Sequence, residues 1–270
     1  MSVNHNSSLL RNRAYEKIRS QLVLGDLHAG SEISEPRLVK KLGIGRTPVR
    51  EALQQLQLEG LLVRSPRKGT VVRVPQRQDI VDVFEVREGI ESYAILLAAK
   101  RIGEADLARL QVLCDQMKTV ADTMLQTGAK SLDKPMLKQF LAADLGFHML
   151  LISATGNLQL MKIVSDSHAL SRIFGTLRQE HTFEIVSGAH QLHSAILEAL
   201  KNSDGEMARK HMIDHIRRSC SEALEHFDNQ QREVSRSATG IERLLIPADL
   251  LDEYDRLGLL SEEPQKKNLD

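Results

Sequence analysis

The chain has no tryptophan, three tyrosines and two cysteines among 270 residues. So few aromatic rings leave little from which to build a stacking platform for single-stranded nucleic acid. Cys114 and Cys220 are too few for a disulfide framework. No apolar run approaches the roughly 18 residues that a membrane span needs. The N-terminal MSVNHNSSLLRNR lacks the apolar core of a secretory leader. A cytoplasmic protein with no membrane partner is expected. Net charge is missing as well, since 36 basic residues balance 36 acidic ones.

That neutrality conceals a split. Residues 1–78 carry 14 Lys and Arg against 6 Asp and Glu, a local charge of +8, and the remainder carries 22 against 30, or −8. A basic N-terminal part on an acidic body is the pattern of a polyanion-binding module attached to a unit with another task.

Leu10, Ala14, Ile18 and Leu22 recur at near-helical spacing and predict a helix over 9–24, stopped by Gly25-Asp26. Ser34 precedes a short helix at 35–42, Gly43-Ile44-Gly45 makes a tight connection, and a second short helix covers 46–59. Pro48 is tolerated in that helix's first turn, where the N–H groups have no intrahelical partner. Two β-type runs, 61–64 and 70–74, flank the basic turn Ser65-Pro66-Arg67-Lys68-Gly69. This order predicts a winged helix-turn-helix over 1–74, with a linker at 75–78. From Asp79 strand signals vanish. Six helices are predicted near 79–101, 104–126, 134–154, 157–174, 181–201 and 204–227. The expected fold class is therefore mainly α: an N-terminal winged helix-turn-helix plus a C-terminal all-α six-helix bundle over 79–227. Residues 228–270 read as a polar tail. In it, 229–238 is a mobile connector, and the apolar patch 241–246 with a short helix at 248–257 is expected to dock on the body.

A short helix presented by a tight turn can enter a DNA major groove, and its N-terminal residues then reach base edges and phosphates. Arg46, Thr47 and Arg50 stand at that end. Arg46, Arg50 and Gln54 share one face, and Arg67 and Lys68 at the hairpin tip are placed to touch the backbone or the minor groove. The string GIGRTPVREALQQLQLEGLLVRSPRKGTVV resembles the GntR family of bacterial transcription factors. The match runs over about 38–74 and includes Leu42, Gly43, Arg46, Thr47, Pro48, Val49, Arg50, Glu51, Ala52, Leu53, Glu59, Gly60, Leu61 and Gly69. It implies operator recognition through this helix, Pro48 included, and a wing containing Gly69. Two positions depart from the family pattern. Gly45 replaces a Ser or Thr that would cap the helix, and Pro36 replaces an Arg that contacts DNA, leaving Arg37 as the neighbouring substitute.

In the third body helix, Leu137, Phe140, Leu141, Phe147, His148 and Leu151 lie within about 60° of Asp144 at 100° per residue. Asp144 and His148 therefore share the core-facing stripe, four residues apart. That geometry suits a shared divalent metal or a simple Asp–His hydrogen bond. His193 lies in the apolar stripe of the fifth helix and His215 flanks that of the sixth, so one Asp and three His point toward the middle of one bundle. Zn²⁺, Ni²⁺ or Mn²⁺ would suit such a set, with positions left for a ligand oxygen. FEVREGIESYAILLAA, DLGFHMLLISATGNLQL, HSAILEAL and MIDHI resemble the FCD ligand-binding domain of the FadR-type branch of the same family, over about 80–227, and the six-helix count is closer to its VanR-type subgroup. The resemblance implies Arg87, Glu91, Asp144, His148, His193 and His215 as site residues, with a metal on the Asp and three His and a small carboxylate effector beside it. Arg87 would clamp that carboxylate or pair with Glu91. Asn157 is a helix cap with a lesser pocket role, and His168 and Arg172 are placed toward the cavity. His181, His190, His211 and His226 are assigned to the surface, and the two cysteines to packing.

The expected function is operator binding by a homodimer on palindromic DNA, controlled by a small organic acid. A metal that is itself the signal is the alternative. An enzyme is disfavoured, since no general acid or base accompanies the metal set.

Overall fold

The computed structural model describes residues 2–23, 26–66, 68–175 and 181–245. Helix α1 (Ser2–Val23) begins earlier than its apolar stripe suggested. It buries Ala14, Ile18 and Leu22 completely. Helix α2 (Glu35–Leu42) is capped by Ser34, whose hydroxyl accepts from Arg37 N. It ends on Gly43, whose N–H bonds Val39 O at φ +64°. That left-handed cap favours glycine and sets the tight turn into α3 (Arg46–Leu58). Strands β1 (Leu62–Ser65) and β2 (Gly69–Val72) pair antiparallel with Leu62 opposite Val72, and Glu32 bridges to Val71. The predicted winged helix-turn-helix is thus present. Its core is Ile18, Leu22, Leu38, Val49, Leu53, Leu56, Leu61 and Val72.

The body is the six-helix bundle expected: α4 (Arg77–Ala99), α5 (Glu104–Thr127), α6 (Lys134–Ala154), α7 (Leu158–Gly175), α8 (Phe183–Lys201) and α9 (Gly205–Leu245). Helix α5 packs on α6 and α8, and α4 on α6 and α7. Leu110, Met117, Met124, Phe147, Leu151, Val186, Ile196 and Ile216 fill the interior. Burial pushes the Cys114 thiol up to about 12, so it behaves as an inert packing group.

Two features differ from the sequence reading. Helix α9 does not stop at 227 but continues to Leu245, so the expected connector at 229–238 is helical. Gln, Arg, Glu and Ala are good helix formers and no proline interrupts them. The docking expected of 241–251 and the helix at 248–257 rest on side chains and residues outside those described. Secondly, α4 begins at Arg77, inside the expected 75–78 linker, and contacts cross that segment. Residues up to His226 form one compact unit. Arg73 pairs with Asp79 across the linker at 2.6 Å, Gln76 N bonds Asp79 Oδ2 at 2.8 Å, and Lys134 pairs with Asp26. Arg19 of α1 donates to Ser165 O of α7 at 2.8 Å.

Candidate functional site

The face expected to read DNA is set by the phase of α3. Val49, Ala52, Leu53 and Leu56 turn inward, which leaves Arg46, Thr47, Arg50 and Gln54 exposed on the outer side. Arg37, Lys68 and Gly69 are exposed too, and Gly69 turns the wing at φ +73°. Gly45 starts α3 without a side-chain cap, so its free N–H groups and the helix dipole stay available to phosphate. Pro48 is corrected: it is buried, so it starts the helix and packs beneath it rather than facing a groove. Leu58, at the end of α3, is 90% exposed. Arg67 lies outside the described residues.

Asp144, His148, His193 and His215 come together as their stripes require, with one possible ligand atom from each within 4.8 Å of the others. His148 Nε2 lies 3.2 Å from His215 Nε2 and 3.9 Å from Asp144 Oδ1, and His193 Nε2 lies 3.4 Å from Asp144 Oδ1. Two nitrogens each about 2.1 Å from one ion stand roughly 3.0–3.4 Å apart, so the set fits a divalent cation. Hydrogen bonding orients the rings. Ala189 O, which can only accept, holds the proton of His193 on Nδ1 at 2.7 Å, and Glu91 Oε2 lies 2.6 Å from His148 Nδ1. His193 Nε2 is thereby left as a lone pair facing inward. His193 Nε2 is buried and has no hydrogen-bond partner, which an ion would supply. Burial, beside the competing imidazoles of His193 and His148, holds His215 well below the usual range and therefore neutral, as ligation needs. Burial opposes ionisation of Asp144, but His193 beside it and the charge of Arg172 hold its carboxyl well below the usual range.

Glu91 is corrected from effector contact to a sealed support. It is 1% exposed, accepts from Arg87 Nε at 2.8 Å, lies 3.0 Å from His168 Nε2 and stands behind His148 rather than on the cavity wall. Burial opposes its ionisation, but the adjoining His168, Arg87 and His148 hold its carboxyl well below the usual range. Glu91, His148 and His168 form a second cluster of possible metal ligands. Glu91 Oε1 is taken by Arg87 and His168, and Oε2 lies 2.6 Å from His148 Nδ1 without a hydrogen-bond partner, so the cluster reads as an ion-paired support. Asn157 is the helix cap expected: its Oδ1 accepts from Gln159 N and Leu160 N at the start of α7, and only its lesser pocket role is corrected, since it is exposed and does not line the cavity.

A cavity of about 140 Å³ opens beside Asp144 and His215. Arg87 and Arg172 line it as expected, and Arg172 Nη2 holds Asp144 Oδ2 at 2.7 Å. Ser171 also lines it and accepts from Arg87 Nη1 at 3.3 Å. His168 lines it too, and His181, assigned to the surface, reaches it with its ring edge-on to Phe140. Ser171, Ser219 and Glu222 were missed because serine and glutamate on a mixed helix face carry no spacing signal. His190, His211 and His226 are half-buried.

A DNA-reading surface at one end and a ligand-sized hollow inside a helical bundle at the other describe a transcription regulator rather than an enzyme. Residues 10–72 match the bacterial regulatory proteins of the gntR family and residues 82–218 match the FCD domain. The chain belongs to the GntR family of bacterial transcriptional regulators and carries an FCD effector-binding domain. It is 26% identical over 221 residues to the HTH-type transcriptional regulator YdhC of Bacillus subtilis, covering 81% of this chain and 92% of that protein. It is 24% identical over 212 residues to the HTH-type transcriptional repressor GlaR of Escherichia coli, covering 75% and 92%. Among solved structures, E. coli McbR/YncC shares the fold with a TM-score of 0.71 at 20% identity, over 81% of this chain and 98% of that one. Among the described residues no helix is long and apolar enough to cross a membrane.

Proposed function

We propose that the protein acts in the cytoplasm as a homodimer on a palindromic operator, and that a small organic acid controls this binding from the bundle. The acid would bind beside a divalent metal, zinc, nickel or manganese, held by Asp144, His148, His193 and His215. Three imidazoles and one carboxylate converging beside a cavity that Asp144, His215, Arg87 and Arg172 line is the observation that carries the reading. The metal would supply positive charge and open positions for carboxylate oxygens, while Arg87 would clamp the same group and Ser171 would fix the guanidinium. The homodimer is supported by Val86 and Tyr93 of α4 and Ile163 of α7, apolar side chains 44–57% exposed on two helices that pack together.

Helix α7 offers the route from acid to DNA. His168 and Arg172 border the cavity and also a groove against Arg19 of α1. An acid that draws Arg172 away from Asp144 would disturb the helix on which the winged unit rests. The test is operator affinity of the metal-loaded chain with and without a panel of organic acids, repeated after chelation. A metal-dependent response to an acid supports the reading. Control by metal alone, with no acid effective, would favour the metal as the signal.

A further inference from the structure

The cavity has two ends of different chemistry, and the same helices build both. On α6, Leu137, Phe140 and Leu141 precede Asp144 by one to two turns; on α8, Ile185 and Ala189 precede His193 by one to two turns; on α9, Ala223 follows His215 by two. At about 1.5 Å per residue, the seven residues from Leu137 to Asp144 span roughly 10 Å. The charged groups Asp144, Arg87 and Arg172 therefore gather at the metal end. A body end of Leu, Ile, Ala and Phe follows, joined by Phe84 of α4. Among the described residues, Ser219, Glu222 and His181 are the polar groups at that end. The cavity of about 140 Å³ is close to the roughly 150 Å³ apolar cavity that takes one benzene.

We infer that the effector is a carboxylic acid with a compact apolar body of about ring size, aromatic or branched-chain, rather than a polyhydroxylated sugar acid. This rests on the acid-and-metal reading above and adds the class of acid. A carboxylate is served at the metal end by Arg87 and the cation. Along the body end the hydroxyls of a sugar acid would lose water against Leu137, Leu141, Ile185 and Ala189 with few acceptors or donors in return. A ring or branched chain loses nothing there and gains burial.

The test uses the full chain loaded with Zn²⁺ and calorimetric titration with benzoate, 4-methylpentanoate and gluconate. Benzoate or 4-methylpentanoate should bind at least about ten-fold more tightly than gluconate, and the binding should vanish after chelation. Leu137→Asn, at a half-buried position, should narrow that preference several-fold with the metal content unchanged. Gluconate binding as tightly as both apolar acids, or a preference unmoved by Leu137→Asn, overturns this inference and leaves the acid-and-metal reading standing. Binding of none of the acids to a chain shown to hold its metal overturns the class of acid together with the acid-binding reading.

Discussion

Arg46 and Arg50 stand in water on the outer face of α3, whereas His148, His193, His215 and Arg87 are at most 5% exposed inside the bundle. The two ends of the molecule use polar groups under opposite conditions. On the winged unit an arginine has water until DNA replaces it, so removing it costs only the contact. In the bundle every charge already has a protein partner, as Arg87 has Glu91 and Arg172 has Asp144. Removing one member there strands the other in a medium that stabilises isolated charge poorly. Surface residues should therefore separate cleanly by function, and interior ones should couple to stability.

The largest expected effect tests the interior. His193→Ala should reduce metal retention by about a hundred-fold or more and abolish the acid response, while operator binding persists; elemental analysis and gel shift read both. At the exterior, Arg46→Ala and Arg50→Ala should each weaken a selected operator by about 1–3 kcal/mol with thermal stability unchanged. Parental affinity on specific DNA would remove them from the reading face.

Acid should distinguish the two ends as well. Burial, then the charge of Arg87, lowers His168 to about 3. The unfolded chain, with histidine near 6.5, takes up this proton first, so the contribution is present above about 6.5 and is lost as pH falls toward 3. For this one group stability should drop by about 1.4 kcal/mol per pH unit in that window. The metal-free chain should melt progressively earlier from pH 7 to pH 5. A flat profile would contradict a neutral buried His168. The smallest effect concerns the seam between the ends. Arg19→Ala should reduce the acid's effect on operator affinity by about 0.5–2 kcal/mol, with metal content and acid affinity kept. An undiminished response would take α1 out of the route.

Much of this comparison was legible in the residues, for reasons that differ by end. The winged unit is local: Gly43, Gly45, Pro48 and the Arg46–Arg50 spacing act within a few residues, so its helices fell within one or two residues of expectation from Glu35 onward. The convergence of the four side chains was legible because helical phase alone turns Asp144, His148 and His193 onto core stripes. Partner choice was not legible, because it is decided between helices. Glu91 reads equally as an effector contact or as a support until His148 and His168 are seen beside it. Asn157 reads as pocket or cap until Gln159 N and Leu160 N claim it. The continuation of α9 to Leu245 was obscured because a polar helix and a polar tail share a composition.

The reading stands or falls on whether Asp144 and the three buried histidines hold one cation. Protein purified without chelator, incubated with Zn²⁺, Ni²⁺ or Mn²⁺ and dialysed at pH 7.5, should show about one metal per chain by elemental analysis. No stoichiometric metal with any of the three would contradict the account.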